Sequence, residues 1–247
     1  MYLLVCNAGS TSLKFKLFEM PAEKVLAEAK VERIGRRNNG IFTYKNPVCN
    51  GERHLEKVDI PTYTEGIQLF LDCMLSDDET IGALSDISKI EKVGFKTVLA
   101  PGYSVHVIDE QVEARMREFL DVAPAHNGPY LEAVSHFRKL LPDAVLVGAF
   151  ETAFHETIPL ERKIYAVPYE WYEKYGFQRM GYHGASHSYV SETIELKFGS
   201  TDKMISCHLG GSCSLCAIDE GKSVDTTFGL SLQNGICHAN RCGDLDV

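Results

Sequence analysis

The chain has 247 residues, 45% of them hydrophobic and 24% charged, which excludes a disordered, collagen-like or coiled-coil polypeptide. A chain of this size buries about 70% of its unfolded surface, so it needs no disulfide to fold, and its length allows one or two domains. With 25 basic against 34 acidic side chains the net charge is −9; this argues against nucleic-acid backbones as partners but leaves small anions open.

The first residues, MYLLVCNAGS, carry no basic stretch, and their apolar run stops at Cys6, so no signal peptide is expected. Leu3 to Cys6 reads as a strand, Asn7 to Thr11 as a polar turn, and Leu13, Phe15 and Leu17 alternate with polar neighbours as a second strand. Further strands are expected at Lys24 to Ile34 and Ile41 to Lys45. Thr64 is expected to cap a helix bearing Ile67, Phe70, Leu71, Met74 and Leu75. A strand at Lys92 to Leu99 follows, then a helix with Val112, Met116, Phe119 and Leu120 on one face, and a helix from Leu131 to Leu141 ended by Pro142. Ala144 to Phe150 reads as a buried strand and is too short to span a bilayer.

Beyond Glu151 a Pro- and Tyr-rich stretch leads to GYHGASH, a helix ending near Phe198-Gly199, and a strand at Met204 to Leu209. The run Cys207-His208-Leu209-Gly210 then Ser214-Leu215 echoes Cys6-Asn7-Ala8-Gly9 then Ser12-Leu13, with one residue inserted. Two copies of strand, Gly/Ser turn, strand would suit two related domains, and the pattern predicts a mixed α/β sheet protein.

Gly/Ser turns between strands can aim N–H groups and hydroxyls at phosphate oxygens, and Lys14 stands beside the first; ordinary hairpins would look the same. In Gly181-Tyr182-His183-Gly184 the glycines let a ligand approach closely while the imidazole projects, although a surface histidine is the plainer reading. Arg241 is either a surface arginine or a fork for phosphoryl oxygens. Glu151 follows a buried strand, where ligand-binding groups collect in open α/β sheets, or else it caps a loop. Eight cysteines read as cytoplasmic thiols. Cys213, Cys216, Cys237 and His238 have the ligand types for tetrahedral zinc, but their spacing fits no common finger.

Taken together, NAGSTSLKFKLF at 7–18, APAHN at 123–127, FETAFHETIP at 150–159, GYHGASHSYV at 181–190 and CHLGGSCSLCAIDEGKSVDT at 207–226 resemble the acetate kinase family of short-chain carboxylate kinases. The resemblance implies an actin-like (ribonuclease H-like) α/β fold of two lobes, with mixed sheets, flanking helices and an incomplete second lobe. Residues 1–150 would form the first domain and 151–247 the first part of the second. It also implies transfer of the ATP γ-phosphoryl group to a carboxylate such as acetate or propionate, with magnesium bound. His183, Arg241, Glu151 and His126 would be catalytic, and Asn7 would help place the metal. Ser10, Ser12, Lys14 and the run His208, Leu209, Gly210, Gly211, Ser212 would hold the nucleotide. Lys96, Val98, Ala125, Tyr182 and Leu232 would bind the acid. No nucleic acid or membrane is expected as a partner; a homodimer or a completing chain is.

The sequence departs from the family pattern at several of these places. Glu151 replaces an aspartate, and Lys96 an arginine, which keeps the charge but loses the two-pronged grip on a carboxylate. Gly210-Gly211-Ser212 replaces Gly-Asn-Gly, Ala239-Asn240 replaces Gly-Thr, and Ala125 and Leu232 reshape the acyl pocket. The alternative reading is a catalytically degenerate relative that binds a nucleotide or anion, or a subunit completed by a partner.

Overall fold

The computed structural model describes every residue except Ser10, Val98, Ala123 and Val247; for Pro124, Ala125 and His126 it describes the backbone alone. The chain forms two compact units, residues 1–97 with 105–149 and residues 98–104 with 150–247.

The first unit is built on an eight-stranded mixed sheet in the order β5-β4-β3-β2-β1-β6-β8-β7. Strands β1 (Tyr2–Gly9), β2 (Ser12–Glu19), β3 (Lys24–Glu32), β4 (Gly40–Asn46) and β5 (Gly51–Val58) form an antiparallel meander. β6 (Ile90–Thr97) runs parallel to β1, and β7 (Val105–Val107) antiparallel to β8 (Val145–Phe150). The alternation read in β2 holds: Leu13, Phe15 and Leu17 are buried while Lys14 and Lys16 are exposed. The inward face is covered by α1 (Tyr63–Met74) and α3 (Pro124–Leu140), with α2 (Glu110–Glu118) against α3. Phe15 stacks on Phe70 of α1 at 4.5 Å, and Phe137 of α3 meets the edges of Phe15 and Phe95. Each such buried ring contributes roughly 2–3 kcal/mol.

Two local expectations shift, and one strand was not foreseen. The cap of α1 is Thr62, not Thr64: its side chain accepts from Thr64 N–H at 3.2 Å, and Glu65 returns a bond to the Thr62 N–H at 2.9 Å, a capping box. Helix α3 starts at Pro124, seven residues before the expected Leu131: a proline suits the first helical position, and the helix runs on through Gly128 and Pro129. β5 has no alternating signal because it is an edge strand without a buried side chain.

The second unit carries a three-stranded antiparallel sheet in the order β11-β10-β9, from β9 (Met204–Leu209), β10 (Cys213–Asp219) and β11 (Lys222–Thr226). Helix α6 (Gly184–Phe198) packs on β9, and a short 3-10 helix, Ala153–Thr157, packs on β11. Gly199 ends α6 in the left-handed conformation, as its sequence position predicts. Two short helices, α4 (Leu160–Lys163) and α5 (Tyr169–Tyr175), occupy the Pro- and Tyr-rich stretch. Each unit thus contains one of the echoed segments as a hairpin: Gly9 pairs with Ser12 and Leu209 with Cys213, so the inserted residue lengthens the second loop from two residues to three. Among the described residues, no helix is long and apolar enough to cross a membrane.

Candidate active site

The segment 181–187 is held from several sides. Gly181 has φ +63°, and a Cβ there would lie 2.5 Å from the ring of His155, so only glycine fits. Tyr182 is buried; its hydroxyl donates to Leu230 O at 2.9 Å and its ring meets Phe228 edge-on. His183, the residue capping α6, is left-handed at φ 59°, ψ 20°, which costs a non-glycine residue roughly 1–2 kcal/mol. Its N–H donates to Glu151 Oε2 at 2.9 Å, and the next N–H, Gly184, donates to Glu151 O at 2.8 Å. The imidazole lies flat on His208 with ring centres 4.0 Å apart, and its Nδ1 is 2.8 Å from Ser214 Oγ.

Behind His183 lies an interior of histidines and serines. His187, fully buried, has Nε2 at 2.8 Å from the same Ser214 Oγ and Nδ1 at 2.9 Å from Ser206 Oγ. His155, also buried, has Nε2 3.0 Å from Tyr182 O and Nδ1 2.9 Å from Ser223 Oγ. A carbonyl oxygen only accepts, so His155 carries its proton on Nε2. Burial lowers both histidines to about 4; the Tyr182 carbonyl and Glu151 partly oppose this at His155, whereas the neighbouring His155 and His208 reinforce it at His187. Both rings are therefore neutral at pH 7. His208 Nδ1 is tied to Ser186 Oγ at 2.9 Å.

Of the residues expected to hold a nucleotide in this unit, Leu209 is exposed, and Gly210-Gly211-Ser212 form the three-residue turn after β9, where Gly210 N–H donates to Ser212 O at 3.2 Å. Gly211 O accepts from Ala239 N–H at 3.1 Å, which ties this turn to the segment bearing Arg241. The half-buried Arg241 donates through its guanidinium to Leu232 O, and Arg241 O accepts from His238 N–H at 2.9 Å. His238 Nδ1 accepts from Cys213 N–H at 2.8 Å, which puts the ring proton on Nε2, facing Asn234 O at 3.3 Å. With both nitrogens engaged and the Cys216 thiol buried against Ser223, the Cys/His zinc grouping is not assembled. Among the described residues, no group of three His, Cys, Asp or Glu side chains is placed to hold a metal.

In the first unit, Asn7 and Lys14 face each other across β1 and β2. Asn7 Oδ1 accepts from the Tyr130 hydroxyl at 3.0 Å. Both residues line an open cavity of about 550 Å³ together with Lys16, Glu28, Lys30 and Glu32. Lys16 pairs with Glu28, Lys30 with Glu32 and Lys45 with Glu52, whereas Lys14 has no ion pair among the described residues. Ser12 opens β2, and Lys96 is exposed near the end of β6. Ser10 and Val98 lie outside the described residues, as do the side chains of Ala125 and His126 in the first turn of α3.

Sequence reasoning assigned no part to His155, His187, Ser186, Ser206, Ser214 or Ser223. The strand period could not have found the serines: in β9 it is Ile205 and Leu209 that are exposed, while Ser206, like Ser214 and Ser223, is buried.

The Acetokinase family profile matches residues 2–247. The acetate kinase of Halothermothrix orenii is 40% identical over 251 aligned positions, covering all of this chain and 62% of the relative. Among solved structures, Porphyromonas gingivalis acetate kinase superposes with a TM-score of 0.88 at 34% identity, over 99% of this chain and 61% of that one. A propionate kinase from Francisella tularensis superposes with a TM-score of 0.88 at 28% identity, over 99% of this chain and 62% of that one. The chain thus spans about three fifths of the relatives it matches. The expected actin-like α/β architecture, with a large mixed sheet and flanking helices, is borne out by these superpositions. By its sequence over nearly every residue and by its fold, the chain belongs to the Acetokinase family.

Proposed function

We propose that the protein is a short-chain carboxylate kinase working on acetate or propionate. A carboxylate oxygen attacks the γ-phosphorus of ATP, a new P–O bond forms as the bond to the β,γ-bridging oxygen breaks, and acyl phosphate and ADP are released. The observation that carries this reading is the hold on His183: a left-handed backbone fixed by Glu151 and a ring fixed by Ser214 and His208. Strain of this kind persists only where surrounding contacts over-determine it, and it collects at functional sites.

A loose phosphoryl-transfer transition state spreads negative charge over three oxygens and needs positioned donors more than a strong base. With Nδ1 of His183 committed to Ser214, contact with a phosphoryl oxygen falls to Nε2. Arg241 would add a planar fork, His126 a further donor, and Glu151 would serve by holding the His183 loop. The turn at His208 to Ser212 would cradle phosphates. Lys96, Val98, Ala125, Tyr182 and Leu232 would meet the acid, with the lysine as a point charge. In the first unit, Ser10, Ser12 and Lys14 would hold nucleotide phosphates, and Lys14 has the uncommitted charge for it.

Magnesium would screen the charge of the phosphate oxygens. Asn7 suits it: Oδ1 is oriented by Tyr130 and keeps a second lone pair, and Mg²⁺ commonly takes only one or two protein oxygens beside phosphates and water. The free thiols fit a reducing cytoplasm, and the exposed Tyr189, Leu196, Phe198 and Leu209 of the second unit fit association with another chain.

The test is acyl phosphate formation, trapped as hydroxamate, from Mg-ATP with acetate, propionate or butyrate. Product that falls by about 100- to 1,000-fold in His183→Ala supports the reading, since that is the usual effect of removing one transition-state donor. No product with any acid sinks it. Lys14→Met should raise KM for ATP by about tenfold or more, the usual worth of one charge-assisted bond, and an unchanged KM would remove Lys14 from the nucleotide site.

A further inference from the structure

We propose that Ser214 is a positioning residue whose single hydroxyl couples the protonation of His183 to the tautomer of His187. The geometry is a chain of four side chains: Ser206 Oγ to His187 Nδ1 at 2.9 Å, His187 Nε2 to Ser214 Oγ at 2.8 Å, and Ser214 Oγ to His183 Nδ1 at 2.8 Å. A hydroxyl donates one proton, and a neutral imidazole has one N–H and one lone pair. Burial keeps His187 neutral, so a fully paired chain has only two arrangements.

In the first, Ser206 donates to His187 Nδ1, His187 Nε2–H donates to Ser214, and Ser214 donates to His183 Nδ1. His183 is then neutral and carries its proton on Nε2. In the second, every bond is reversed: His183 Nδ1–H donates to Ser214, Ser214 to His187 Nε2, and His187 Nδ1–H to Ser206. This arrangement is the one compatible with an imidazolium at His183, whose two N–H groups both donate. With His183 protonated at both nitrogens, the Ser214 hydroxyl points to His187 Nε2 and His187 holds its single proton on Nδ1, the two states differing by the one proton that His183 takes from solvent. Each of the three bonds keeps one donor and one acceptor in both states, which matters because a buried bond lost costs about 1–3 kcal/mol.

Titratable groups around the pair among the described residues include His208 of β9, stacked on His183 at 4.0 Å and 6.4 Å from His187; His155 of the 3-10 helix, 5.8 Å from His187; and Glu151, which accepts the His183 N–H. None of these contacts links His183 Nδ1 to His187 Nε2, whereas the Ser214 hydroxyl touches both.

The kinetic part of this inference rests on His183 acting in phosphoryl transfer; the coupling itself does not. Imidazole ¹⁵N spectra of the unmodified protein, followed from pH 8 to pH 5.5, test the coupling without any turnover. We expect His187 to change from the Nε2–H to the Nδ1–H form as His183 titrates, without becoming charged. A His187 tautomer indifferent to His183 overturns the proposal even if the protein is an active kinase. In Ser214→Ala the His187 tautomer should no longer follow the protonation of His183. In an active kinase, kcat should then drop about tenfold or more with KM for the acid changed less than threefold, and the pH profile of kcat should shift; Ser214→Thr should restore both. A Ser214→Ala variant that folds and keeps the parent kcat and pH profile also overturns it.

Discussion

Gly184→Ala is expected to destabilise the second unit by about 2–4 kcal/mol and to abolish whatever activity depends on His183. A Cβ at this position would lie 2.2 Å from the carbonyl oxygen of Glu151, and that oxygen is the acceptor for the Gly184 N–H. Backbone cannot step aside as a flexible side chain does. Overpacking therefore costs about 1–3 kcal/mol, and the lost hydrogen bond adds about 1 kcal/mol. Helix α6 would have to retreat from Glu151, taking His183 and His187 with it. Thermal unfolding should show a midpoint lowered by roughly 10 °C for a chain of this size. A variant with unaltered midpoint and turnover would mean that the close approach of Glu151 and α6 is not needed.

Acidification should weaken the second unit well before its carboxylates are protonated. His155 and His187 are depressed to about 4 from an ordinary 6.5, so between those values the unfolded chain binds more protons than the folded one and stability rises with pH. Their contribution is complete above about pH 6.5 and is lost as the pH falls toward 4. From pH 7.5 to pH 5 the loss is about 2 kcal/mol for each ring. Trp171 is the chain's single tryptophan and lies in the second unit, so its fluorescence follows this unfolding. Urea midpoints that coincide at pH 7.5 and pH 5 would show that the two rings titrate normally.

The first unit was the more legible in the sequence. Its strands have one wet face and one covered face, so Leu13, Phe15 and Leu17 against Lys14 and Lys16 announce both the strand and its orientation. β5 gave no such signal because both its faces are exposed, and the cap at Thr62 was displaced because Thr62 and Thr64 both precede the apolar run; only the Glu65 return bond separates them. The motif residues at 181–187 and 207–212 marked the candidate site, and the structure brings His183 and His208 together. The serines behind them were hidden for a physical reason. A small hydroxyl residue in a strand is unremarkable until its inward direction is known, and that direction depends on pairing β9 with β10 across the turn.

The two interiors also differ in how freely they can change. The aromatic cluster around Phe15, Phe70 and Phe137 is held by contact alone, and apolar cores accept exchanges that conserve volume at a cost of under about 1.5 kcal/mol. The His and Ser interior of the second unit has no such latitude, because each member must place a hydrogen-bonding atom at one position and one distance from its partner. Descendants of this chain could therefore repack the first interior piecemeal, one hydrophobe for another. In the second, a substitution that removes any partner must be matched by a change in its neighbour, so that interior would drift in concerted steps or not at all.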